Sequence, residues 1–192
     1  VLDASLEQFS ILENQIIDLG RTKGFDGQPN AEAKQFYTLA FRTVAIGMTL
    51  LQFIWFTTFK RHRARLWGGA GFLLALLAAF HLWGVVEFPM DENFPRHFQF
   101  LKRALAALSI SSLCIGFAYY FEPKYKDWPA RLWWITGIIS VAQWVFLVYG
   151  PAPWSSHSVL LLQYSMQKLM WTAQFVAYMV HGYFVIKRVR KT

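Results

Sequence analysis

The chain has 192 residues, 55% hydrophobic and 18% aromatic but only 16% charged, against about 25% charged in an ordinary soluble domain. Its formal net charge is +8, yet the basic residues flank long apolar stretches, which reads as membrane orientation and excludes nucleic-acid binding. The single cysteine, Cys114, excludes an internal disulfide and a cysteine-based metal cluster.

Residues 1–35 form an N-terminal segment of their own. Leu2, Leu6, Phe9, Leu12, Ile16 and Leu19 recur every three or four residues and draw an apolar stripe on an amphipathic helix. Such a helix lies on the bilayer or the bundle rim, or docks a partner. It ends in the glycine-rich run Gly20–Asn30, expected to be a loop.

Residues 36–192 form the second unit, with five apolar segments near 36–59, 66–88, 98–121, 132–150 and 158–186. Each is long enough to cross a hydrocarbon core of about 30 Å at 1.5 Å per residue. The expected fold is an all-α polytopic membrane bundle of about five transmembrane helices. Lys60, Arg61, Arg63 and Arg65, then Lys124, Lys126 and Arg131, then Lys187–Lys191 alternate onto one side. The positive-inside rule makes that side cytoplasmic or matrix-like and puts the N-terminus outside and the C-terminus inside. Arg96, Lys102 and Arg103 lie at the outer end and count against this. Trp55, Trp67, Trp128, Trp133 and Trp134 are expected at the inner interface and Trp154 at the outer one, as amphipathic anchors.

Small residues mark close helix contacts in lipid. Ala104, Ala107, Ser111, Cys114 and Ala118 form one seam on the third segment, and Gly68, Gly71, Ala75 and Ala78 form another on the second. These two helices are expected to pack tightly at the centre.

The fifth segment carries the functional expectation. Gln163, Gln167, Gln174 and His181 fall within about 40° on a helical projection, and Tyr164, Lys168, Trp171 and Tyr178 widen the arc to about 140°. Amide and ammonium groups on that arc cannot face lipid without a cost of several kcal/mol. Counted from the expected outer end of the segment, Lys168 falls roughly 15 Å deep, near the midplane. No Asp or Glu lies at that depth in any segment, so its expected counterpart is another subunit, a ligand, a hydrated cavity or nearby glutamines. Arg42 is close enough to the outer interface to reach water.

Haem ligation by facing histidines is tested by depth. His81 and His181 lie about 13 Å apart along the bundle and cannot share one haem. His81, His97 and His157, with Asp91 or Glu92, are the metal-ligand candidates, without the tight spacing that a zinc site carries. No phosphate loop, nucleophile elbow or Cys-x-x-Cys pair occurs.

The expected function is therefore a non-catalytic membrane subunit of a larger complex. Its polar face on the last helix would bind a partner subunit, a lipid or a quinone-like molecule. Its partners would be membrane lipids, together with other membrane subunits or further copies of the chain. The alternatives are a small-solute transporter or channel with Lys168 in the pathway, and a b-type cytochrome subunit carrying haem.

Overall fold

The computed structural model describes residues 16–24, 27–125, 127–152 and 155–189. They form a short 3-10 helix, Ile16–Gly20, followed by five α-helices: α1 Ala31–Thr58, α2 His62–Glu87, α3 Phe94–Tyr120, α4 Asp127–Tyr149 and α5 His157–Val189. The described residues contain no strand. Among the described residues three helices, α2, α3 and α4, are both long and apolar enough to cross a membrane. The five expected spans are thus supported for three. α1 and α5 reach 28 and 33 residues.

The helices α2, α3 and α4 start earlier than hydropathy indicates, by about a turn each, because hydropathy marks only the oil-compatible part. Polar first turns are set by local chemistry instead. Asn93 caps α3, its Oδ1 accepting from the Arg96 amide at 3.3 Å, with Pro95 in the first turn where its missing N–H costs nothing. Glu122, buried after α3, accepts from the Lys60 and Arg61 amides at 2.6 and 3.1 Å just before α2. A carboxylate there satisfies amides that the helix start leaves open and complements its dipole.

The stripe positions Leu2, Leu6, Phe9 and Leu12 lie outside the described residues. Its last members, Ile16 and Leu19, belong to the 3-10 helix, which packs onto α1 with Ile16 and Leu19 against the core. Gly20 is required there, since a Cβ would sit 2.5 Å from the Tyr37 ring. Past it the chain makes a small hairpin, with Gly24 N–H bonded to the Gln28 carbonyl and Asn30 N–H to that of Thr22. Gly27 takes the turn at a φ of 80°, a conformation other residues rarely adopt.

The helices meet through small residues. Ser111 Oγ donates to the Gly71 carbonyl across the α2–α3 contact at 2.8 Å. A Cβ at Gly71 would lie 3.0 Å from Ile115, and Gly68 lies under Phe59 and near Ala118. Ala75, Ala104 and Ala107 are buried in the same contact region. A further seam, absent from the sequence reading, joins α3 to α4: the Trp134 indole lies over Gly116 and Leu113 over Gly137. Trp133 departs from the expected anchoring role. It is fully buried and meets Tyr178 edge-on at 5.2 Å, so it belongs to the core. Trp67 and Trp128 stay exposed.

Gly71→Leu is expected to destabilise the bundle by about 1–3 kcal/mol through overpacking. Gly47→Leu, on the open side of α1 where a Cβ meets nothing within 4 Å, is expected to shift stability by under about 0.5 kcal/mol. Thermal unfolding in detergent, followed by helical circular dichroism, checks both.

Candidate functional site

The polar arc of α5 turns into the bundle. Gln163, Gln167, Gln174, Tyr178 and His181 are buried, and Lys168 and Trp171 are half-buried at its edge. The amides that lipid could not satisfy are met mainly by the chain's own groups. Gln174 Nε2 donates to Ser112 Oγ on α3 at 3.0 Å and to Ser140 Oγ on α4 at 2.9 Å. Both hydroxyls send their own protons to carbonyls one turn back, Leu108 and Thr136. Two amide protons thus meet two hydroxyl lone pairs, which ties three helices at one level. Gln167 Oε1 accepts from the Ile16 amide at 3.2 Å, so the 3-10 helix docks on α5 through the stripe. Gln163 Nε2 donates to the Pro151 carbonyl at 3.3 Å. His181 Nδ1 is hydrogen-bonded to the Tyr119 hydroxyl of α3.

These contacts fix the relative heights of the helices. Gln174 is level with Ser140 on antiparallel α4 and Gln163 with Pro151 just past its end, so Lys168 is level with Phe146. Lys168 therefore lies about one turn inside the outer end of α4, and the Gln174–Ser112 and His181–Tyr119 bonds make it level with Ala106, midway along α3. At the outer end α3 and α5 both extend about two turns past α4. The Lys168 ammonium lies 5.8 Å from the centre of the Tyr164 ring. Arg42 pairs with Glu87 and also lies 4.7 Å over the Trp83 ring; both charged groups stay partly exposed, where such pairs contribute little.

The remaining candidates are spread apart. His157 is exposed at the start of α5, whereas His97 is buried, its Nδ1 donating to the Phe88 carbonyl at 2.8 Å. His81 packs between Phe80 and Phe100. Among the described residues no three His, Cys, Asp or Glu side chains gather as metal ligands. Asp91 is engaged otherwise. Its carboxylate accepts from the Thr22 amide and hydroxyl and from the Lys23 amide at 2.8–3.1 Å, pinning the N-terminal hairpin over the α2–α3 loop.

Sequence reasoning missed the partners of the stripe. Thr136, Ser140 and Gln143, spaced four and three apart, form a polar line along α4 and are all buried. Ser109 and Ser112 extend the same chemistry onto α3. It also missed a groove of about 500 Å³ between α1 and α5, lined by apolar side chains including Phe41, Met48, Trp171 and Phe175. No protein-family model, curated protein or solved structure matches the chain.

Gln174→Leu is expected to cost roughly 0.5–1.5 kcal/mol, the range of side-chain hydrogen bonds between helices in membranes, measured by unfolding in detergent. A pH effect follows from Asp91. Partial burial raises its pKa, but the Thr22 and Lys23 donors outweigh that and hold it below the ordinary 3.8. A depressed carboxyl stabilises the clamp above its unfolded value and loses that contribution as pH falls through the folded one. Amide-exchange protection at Thr22 and Lys23, relative to the intrinsic rate at each pH, is expected to hold down to about pH 4 and to fall below it, while Asp91→Asn lowers it throughout.

Proposed function

We propose that this chain is a non-catalytic integral membrane subunit with all five helices crossing the bilayer. The supporting observation is the division of faces on α5. Its amides and imidazole point inward, while Leu162, Leu169, Phe175, Val176 and Met179 are exposed on its outside. Exposed Leu39, Val44, Ile46 and Leu50 give α1 the same character. A side chain of this kind needs oil or an apolar partner around it.

The levels of the charged groups fit one bilayer. From Arg65 to Glu87 is 22 residues, roughly 33 Å along α2, close to a hydrocarbon core. In this frame Arg42, paired with Glu87, and Arg96 lie at the outer interface. Lys60, Arg61, Arg63, Arg65 and Lys124 lie at the inner one, with the N-terminus outside.

A path for solute along the stripe is disfavoured by Met170 and Ala177. Both occupy stripe positions between the polar residues, and both are fully buried. They interrupt the polar file with packed apolar atoms. The surface left for a partner is the seam between α1 and α5, where the apolar groove opens. Extraction in a mild detergent is expected to give a particle holding more polypeptide than one chain of 192 residues. With Cys114 replaced, single cysteines at Ser156 and at Arg63 should react with impermeant reagents from opposite sides. A bare monomer would overturn the subunit reading, and labelling of both sites from one side would overturn the topology.

A further inference from the structure

We propose that the inner end of α2 binds the head group of an anionic phospholipid between Arg63 and Arg65, with the lipid's acyl chains lying along the exposed face of the helix. This rests on the membrane reading above and adds a lipid site at one corner of the bundle.

The outward face of α2 is apolar. Leu66, Leu73, Leu77 and Phe80 are exposed on it. At about 100° per residue they fall within an arc of about 60° that also holds His62. Arg63 and Arg65 stand about 80° to either side of the middle of that arc. Both are exposed, at the level where the apolar face begins. Each is held by a neighbouring helix end. Arg65 Nε donates to the carbonyl of Phe59, just past α1, at 2.9 Å. The Arg63 guanidinium lies 5.9 Å from the centre of the Phe121 ring, just past α3. A guanidinium carries five N–H donors in a planar fork that matches a phosphate. Arg65 spends one of them on Phe59, and a contact with a ring face leaves those of Arg63 in place.

Charge selects an anionic occupant. Lys60, Arg61, Arg63 and Arg65 gather here beside one buried carboxylate, Glu122, which already accepts from the Lys60 and Arg61 amides. Among the described residues neither Arg63 nor Arg65 pairs with a carboxylate. The outer end of α2 is built differently, since Glu87 there meets Arg42. Position selects a lipid over a soluble anion or an acidic polypeptide. The cations stand at the inner interface, and the surface that continues from them toward the bilayer centre is Leu66, Leu73 and Leu77. Such a surface complements acyl chains beneath a phosphate and offers a water-soluble partner nothing.

The test uses the full chain reconstituted in phosphatidylcholine vesicles with a trace of phosphatidylglycerol bearing a diazirine on the upper part of its acyl chain. Photolabelling is expected on α2 around Leu66 and Leu73, and unlabelled phosphatidylglycerol should compete it away saturably where phosphatidylcholine does not. Arg63→Gln or Arg65→Gln is expected to lower labelling about fivefold, and the two together about thirtyfold, the strength of basic residues near an anionic surface. Arg63→Lys with Arg65→Lys should retain most of it, and Arg131→Gln on α4 should leave it unchanged. Competition on the unaltered chain needs no variant to fold. In native membranes, with Cys114 replaced, a benzophenone attached through His62→Cys should capture lipid. Labelling spread evenly over the outer faces, equal competition by phosphatidylcholine, full labelling of the double glutamine variant, or capture of a polypeptide at position 62 would overturn the proposal. A chain that does not insert into vesicles would instead overturn the membrane reading beneath it.

Discussion

The fold depends on what happens to an amide placed in an apolar bundle. Gln174 carries two N–H donors to a level where neither water nor backbone is free to accept them, and an unmet donor there costs more than a hydrogen bond gains. Ser112 and Ser140 accept both. Because the serines stand on different helices, α5 can meet this demand only in one rotation and one register against α3 and α4. The Tyr119–His181 bond repeats the constraint seven residues deeper, at the same offset between α3 and α5.

The rest of the arrangement follows from that registration. With its polar arc turned inward, α5 leaves its apolar residues outside and overhangs α4 at the outer end. The overhang gives the 3-10 helix a surface to dock on, through Gln167, and the Asp91 clamp holds the hairpin behind it. α1 is tied to α2 and to the 3-10 helix but only lightly to α5. The groove opens at the seam between first and last helices. Tight contacts elsewhere use glycine and alanine to bring backbones together, whereas a Cβ at Gly47 would meet nothing within 4 Å and one at Gly182 only Leu51 at 3.9 Å.

The helical architecture was legible because hydrophobic runs and their basic flanks are local signals. So was the inward-facing arc of α5, which follows from periodicity alone. The offset of α5 against α4 was not legible, since it is set by contacts at Pro151 and Ser140. The partners of the glutamines were hidden for a related reason. Serine and threonine in an apolar helix commonly bond their own backbone, as Ser112 and Ser140 also do. Only the three-dimensional pairing shows their spare lone pairs in use. Trp133 shows the limit of composition rules, because an indole near a basic loop can equally well be core.

The central claim is that the α5 amides are satisfied inside the chain. Solid-state NMR of the protein in bilayers, with the Gln174 side-chain nitrogen and the serine β-carbons labelled, tests it most directly. The account predicts close correlations from the Gln174 amide to both Ser112 and Ser140 and none to acyl-chain protons. Correlations to lipid, with the serine signals absent, would contradict it.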